Sequence, residues 1–278
     1  MKTLILAGLA LGCLAALAGP AVSQPVTKAT LFAAHRGGAL LWPENSLLAF
    51  RMAAEQLGAD FLELDVHLSK DGEVVVIHDP TLDRTTTGRG PVRSQTLTEL
   101  RTLRLRDGTG AVTEEILPTL DEVTALALRS GRQLLVEIKV DETARRYPGI
   151  EEKVFAVLDR HRATPAAVVM AFERETWRRV RALRPEARAC ALYSKRTVGD
   201  LGSTLRAELR HARQAGVALI GLHQGLVDAE TVALVRDAGM SLSVWTVNDA
   251  AEIRRFIALG VDIVITDRPD LAKSALGR

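Results

Sequence analysis

Cysteine is nearly absent. The 278-residue chain holds two, Cys13 and Cys190, and Cys190 alone lies beyond the first two dozen residues. No internal disulfide can staple what folds after them. Stability must come from an apolar core, which about 255 residues can supply. Cys190 sits in the apolar run ARACALY, the setting of a buried structural thiol. Excess charge is absent as well. Thirty-six basic and 34 acidic residues leave a net charge of +2, so nothing in the charge balance calls for nucleic acid or an anionic membrane as partner. The arginines are interspersed with acids, as on solvated helix faces. No low-complexity linker divides the chain after its first residues.

The N-terminus stands apart. MKTLILAGLALGCLAALAGPAVSQ has one lysine, then an apolar run, then small residues, the pattern of a secretory signal peptide. Residues 1–23 are expected to be that peptide, with cleavage after Ala21 or Ser23, and residues 24–278 a single domain. The protein is then exported, periplasmic or secreted. Lipid anchoring through Cys13 is disfavoured because the apolar run continues past it. Gly19 and Pro20 argue against a retained membrane span.

Eight short, nearly continuous apolar runs recur along the rest: 31–36, 61–66, 134–139, 167–172, 189–194, 218–223, 242–247 and 262–267. Such runs suit parallel strands buried on both faces. Helical patterns alternate with them, at about 44–57, 121–130, 149–162, 174–183, 198–215, 228–238, 249–259 and 270–276. Pro43-Glu44-Asn45 is expected to open the first of these, Asn248-Asp249 to cap the seventh and Gly260 to end it. Eight strands alternating with eight helices predict an irregular TIM (β/α)8 barrel, an α/β fold.

The run EVVVIHD (73–79) breaks the alternation. Asp71-Gly72 before it signals a hairpin, so 74–79 is expected to return antiparallel beside the second strand, with 80–118 as an excursion over the same rim. A two-residue turn at Asp71-Gly72 would set Asp65 opposite His78 and put Glu63 on the same face. Taken alone, this segment suits a plain cross-strand ion pair equally well. His67 is expected to lie further out, on the surface.

Catalytic groups of such barrels sit at the C-terminal strand ends. The first strand ends in His35-Arg36-Gly-Gly, the second carries Glu63 and Asp65, the third barrel strand ends with Glu137 and Lys139, and the seventh with Trp245. Three converging carboxylates suit a hard divalent cation. Arg36 suits an oxyanion such as phosphate. His35 and His78 offer an acid–base pair. Trp245 suits a wall for a small polyol, or plain rim packing. His223 has no evident partner, and Asp267 is expected to cap the last helix.

Read in order, HRGG…PENS (35–46), ELDVHLSKDGEVVVIHDPTLDRTTTG (63–88), LPTLDEV (117–123), VEIK (136–139), VWTVN (244–248) and GVDIVITDRPD (260–270) resemble the glycerophosphodiester phosphodiesterase family. The resemblance implies hydrolysis of glycerophosphodiesters to glycerol 3-phosphate and an alcohol, with one divalent cation, Ca2+ or Mg2+. It implies Glu63, Asp65 and Glu137 as metal ligands and His35 and His78 as the acid–base pair. Arg36 and Lys139 fall on phosphate contacts, Glu44 on the acid of the PEN motif, and Trp245 near the glycerol end. The partner is then a small-molecule diester, without nucleic acid and without stable membrane insertion. A lysophospholipid or sugar-phosphodiester enzyme, and a barrel that binds diesters without cleaving them, remain as alternatives. Whether a glycerol hydroxyl or water attacks, and which histidine acts first, stay open.

Overall fold

The computed structural model describes residues 29–200 and 202–278; the expected leader, residues 1–23, lies outside them. Its strands are β1 (Leu31–Ala34), β2 (Phe61–Leu68), β3 (Val74–Val76), β4 (Gln133–Ile138), β5 (Ala167–Ala171), β6 (Arg188–Tyr193), β7 (Leu219–His223), β8 (Ser241–Trp245) and β9 (Ile263–Thr266). The parallel strands run in the order β1-β9-β8-β7-β6-β5-β4-β2, and β2 pairs with β1 to close the barrel. β3 lies outside the ring, antiparallel to β2. The eight expected barrel strands are all present, within three residues of their expected limits.

Ten α-helices are described: α1 (Leu47–Arg51), α2 (Leu97–Leu100), α3 (Leu120–Arg129), α4 (Ile150–Arg160), α5 (Arg174–Leu183), α6 (Lys195–Asp200), α7 (Leu205–Gln214), α8 (Ala229–Asp237), α9 (Ala250–Leu259) and α10 (Pro269–Ala275). The helix expected over 198–215 is two helices, because Gly202 adopts φ 56° and Thr204 accepts a bond from the Ala207 N–H to start α7 afresh. The first helix begins later than expected. Ser46, rather than Glu44 or Asn45, is its cap, accepting from Ala49 N at 3.0 Å, which leaves Pro43-Glu44-Asn45 as a loop at the barrel mouth. Asp249 and Gly260 do bound α9 as expected.

Strand alternation divides the core in two. Phe61, Leu135, Val168, Met170 and Ile265 fill the barrel interior, while Phe32, Leu62, Leu64, Val136 and Val169 pack outward against the helices. Cys190 is an interior residue with no exposure, and burial pushes its thiol up. It is the structural thiol that its sequence setting indicates.

Gly37 lets α1 approach the end of β1. It has φ 81°, and a Cβ there would stand 2.7 Å from Ala49 Cβ. Gly37→Ala is expected to cost about 1–3 kcal/mol through overpacking, measurable as a lower Tm. An unchanged Tm would contradict this packing.

The hairpin joins β2 and β3 with a register one residue from expectation. Val66 pairs with Val76 and Leu68 with Val74, so Asp65 faces Ile77, whose N–H it binds through its carbonyl at 3.0 Å. The turn holds three residues, Lys70-Asp71-Gly72, with Gly72 at φ 81° and Ser69 N bonded to Glu73 O at 3.0 Å. A three-residue loop closing on a left-handed glycine is the next commonest hairpin, and its extra residue shifts the ladder by one. The excursion that follows has its own apolar cluster, with Val75, Ile77, Leu82, Val92, Leu100 and Leu117, which fixes it over the mouth.

Candidate active site

The inward face of β2 carries Phe61, Glu63, Asp65 and His67; that of β4 carries Leu135 and Glu137, with Lys139 one step beyond the strand end. The register sets Asp65 directly beside Glu137. Alternation plus pairing therefore gathers Glu63, Asp65 and Glu137, each buried, with one oxygen from each within 4.8 Å of the others. Burial, then the Asp65 and Glu137 charges, push the Glu63 carboxyl well above its ordinary range. Burial acts the same way on Asp65, but Lys139, His78, Arg36 and His35 outweigh it and hold that carboxyl far below the usual range. Asp65 Oδ1 is buried without a hydrogen-bond partner. Three crowded oxygen donors, one of them orphaned and one forced toward protonation, fit a hard divalent cation.

Two cations flank the trio. Arg36 has φ 52°, an uncommon left-handed setting for a bulky residue. It is fixed by its own N–H donating to Glu63 Oε2 at 2.9 Å and its carbonyl accepting from Asn45 N at 2.9 Å. Its Nη1 donates to Glu44 Oε1 at 3.2 Å and its Nε lies 3.5 Å from Asp65. Lys139 Nζ donates to Glu137 at 2.7 Å and lies 3.5 Å from Asp65 Oδ1. Although burial opposes it, the charges of Glu137 and Asp65 keep the ammonium protonated.

The two imidazoles face the trio. His35 follows β1; its Nδ1 is bonded to Asp267 Oδ1 at 2.6 Å, and its Nε2 lies 3.9 Å from Glu63 Oε2. His78 follows β3; its Nδ1 is bonded to Asp79 Oδ1 at 2.7 Å, and its Nε2 lies 3.3 Å from Lys139 Nζ. His78 thus reaches the trio from beyond the ladder, and not by standing opposite Asp65 as expected. His67, expected at the surface, is fully buried. Its Nε2 donates to the His78 carbonyl at 3.1 Å, so its Nδ1 accepts from the Tyr147 hydroxyl at 2.9 Å. Burial lowers its pKa to about 4, and the neutral ring braces the His78 backbone.

Trp245 stands at the end of β8, edge-to-face with Phe172 and His223, whose ring centres lie 5.5 and 5.3 Å away. His223 thus has a partner. Trp245 lines a cleft of about 20 Å³ with His35, Glu63 and Glu137. Sequence reasoning also missed Asp267, which orients His35 and does not cap α10: its Oδ2 accepts from Asn248 Nδ2 at 2.7 Å, and its own N–H donates to Asn248 Oδ1 at 2.8 Å. The strand alternation Ile263, Ile265, Asp267 was the available signal. Asn45 Nδ2, donating to Asp65 Oδ2 at 3.0 Å, and the carboxylate of Asp79 were missed because both lie in loops, outside any periodicity.

Oxygen donors, fixed cations and paired imidazoles around one barrel mouth define a phosphoric diester hydrolase. Residues 35–271 match the Glycerophosphoryl diester phosphodiesterase family, and the chain belongs to that family, an enzyme of glycerophosphodiester hydrolysis. It is 36% identical to the glycerophosphodiester phosphodiesterase of Caldanaerobacter subterraneus subsp. tengcongensis, over 87% of this chain and 95% of the relative. Among solved structures it is similar to a putative glycerophosphoryl diester phosphodiesterase from Agrobacterium tumefaciens, with TM-score 0.82, 30% identity, and coverage of 90% and 98% of the two chains. It is also similar to an Oleispira antarctica phosphodiesterase in complex with the product sn-glycerol-3-phosphate, with TM-score 0.76, 28% identity, and coverage of 90% and 98%.

Proposed function

We propose that this chain releases sn-glycerol 3-phosphate and an alcohol from glycerophosphodiesters by proton transfer through His35 and His78, at a divalent cation held by Glu63, Asp65 and Glu137. One observation carries the reading. Each imidazole is fixed through Nδ1 by an aspartate, Asp267 or Asp79, and turns Nε2 into the site, His35 to 3.9 Å from Glu63 and His78 to 3.3 Å from Lys139. The product bound in the Oleispira antarctica structure supports the same chemistry for this site.

When bound, a divalent cation such as Ca2+ or Mg2+ neutralises charge on the diester and polarises its phosphoryl oxygens. Arg36 and Lys139, both fixed by carboxylates, hold the remaining phosphate oxygens and stabilise charge as it builds. One imidazole takes at Nε2 the proton of the attacking oxygen, either water or the neighbouring glycerol hydroxyl, and the other protonates the leaving alcohol; where the hydroxyl attacks, water then opens the cyclic phosphate to glycerol 3-phosphate. Trp245 and Phe172 give the glycerol carbons an apolar wall.

Asp267→Asn keeps the shape but ends the ionic hold on His35. It is expected to lower kcat at least about 10-fold, and by no more than the ~10⁴-fold that loss of the imidazole itself would cost. Steady-state kinetics on glycerophosphocholine test this, and wild-type kcat would contradict the role of Asp267. Lysophosphatidylcholine supplied in the same assay separates a glycerophosphodiesterase from a lysophospholipid enzyme. We also read residues 24–278 as one catalytic domain and the chain as exported, on the pattern of its first 23 residues. N-terminal sequencing of the recovered protein checks the cleavage point.

A further inference from the structure

The charged and polar groups at the mouth form a closed ring of contacts, in which carboxylates and cations alternate except where His78 meets Lys139. Asp65 lies 3.5 Å from Arg36 Nε, and Arg36 Nη1 donates to Glu44 at 3.2 Å. Arg84 bonds both oxygens of Glu44, at 2.7 and 2.9 Å, and both oxygens of Asp79, at 2.7 and 2.9 Å. Asp79 holds His78 at 2.7 Å, His78 meets Lys139 at 3.3 Å, and Lys139 returns to Asp65 at 3.5 Å. Arg84 is the member supplied by the excursion that follows β3. Its side chain is 49% exposed, whereas that of Asp65 is 0% exposed and that of Glu44 13%.

Arg84 spends four bonds on two carboxylates that each hold a group of the site. Its planar fork fixes the angle of both at once, which an ammonium cannot do. We propose that Arg84 is a positioning residue: through Asp79 it sets the His78 ring, and through Glu44 it sets the Arg36 guanidinium, locking the proton-transfer group and the phosphate-holding group into one frame. Without Arg84, the carboxylates of Glu44 and Asp79 lose the cation between them, and each is free to turn. This inference rests on the reading of His78 as an acid–base group and of Arg36 as a phosphate contact.

The test is kinetic, on the full-length enzyme with glycerophosphocholine. Arg84→Ala is expected to lower kcat/KM by about 10- to 100-fold, the scale of an ångström of misplacement. Its Tm should stay within about 4 °C of wild type. Millimolar methylguanidinium should restore part of the activity. The Arg84→Ala, Asp79→Asn double variant should lose less than the two single losses combined, because the Asp79 branch is shared while the Glu44 branch is lost only with Arg84. Arg84→Lys keeps charge and bulk and serves if the alanine variant does not fold; it should recover little activity. Wild-type activity in Arg84→Lys or Arg84→Ala, or fully additive losses in the double variant, would overturn the proposal. His78→Ala measured alongside separates the two readings. If His78→Ala is inactive while Arg84→Ala is fully active, only the positioning role fails; if His78→Ala keeps full activity, the acid–base reading beneath it fails.

Discussion

Alanine at His35 or at His78 should lower kcat about 10²–10⁴-fold, the contribution of a positioned acid–base group, with the fold intact. The two rings are 14% and 30% exposed, so truncating either leaves no dry cavity in the core and should move Tm little. Neither ring can substitute for the other. His35 is fixed to β9 through Asp267, and His78 to the hairpin and excursion through Asp79, so they approach the trio from different sides. Losing both need not multiply the single losses, because residues that act as a unit are non-additive. Single-turnover and steady-state assays on the two single variants and the double variant decide the matter. Near-wild-type kcat in both single variants would remove proton transfer by these residues from the account.

Chelation should have the second large effect. With Glu63, Asp65 and Glu137 packed within 4.8 Å, burial and mutual repulsion drive Glu63 toward its protonated form. A bound divalent cation reverses that preference, and the charge stabilisation it supplies is worth several kcal/mol, about 10³-fold or more in rate at 1.36 kcal/mol per decade. EDTA should therefore remove activity by that factor, and Ca2+ or Mg2+ should restore it. A readout independent of turnover follows from linkage: at a free cation concentration of about 100 Kd, binding adds about 2.7 kcal/mol to stability. Tm should rise with cation in the wild type and not in Asp65→Asn. Activity that survives exhaustive chelation, with no cation-dependent Tm, would contradict the assignment.

What was legible in the sequence was what repeats. Continuous apolar runs located all eight barrel strands, and alternation placed Glu63, Asp65, Glu137 and Lys139 on inner faces. The rim rule then selected His35, Arg36 and Trp245. What failed was local geometry that periodicity does not encode. One added turn residue, Lys70, moved the hairpin register, so Asp65 faces Ile77 in place of His78. His78 still reaches the site from just past β3, where Asp79 beside it is held by Arg84 of the excursion. Asp267 follows the alternation of β9 one step past its end, but its place at the turn into the last helix suits a cap equally well. Asn45 reads as a helix start in the sequence, whereas Ser46 caps the helix and leaves Asn45, at φ 56°, to bond Asp65. The polar groups that orient the two imidazoles and Asp65 sit in loops, where bonds across more than 200 positions, such as His35 to Asp267, leave no periodic trace.

The central claim is tested most directly by following sn-glycerol 3-phosphate from glycerophosphocholine with purified enzyme, first after chelation and then after cation add-back. Product and free choline are expected in equal amounts, lost with chelator, restored by Ca2+ or Mg2+, and nearly absent in His35→Ala and His78→Ala. Binding of the diester without product under every cation condition, or full product release in both histidine variants, would contradict it.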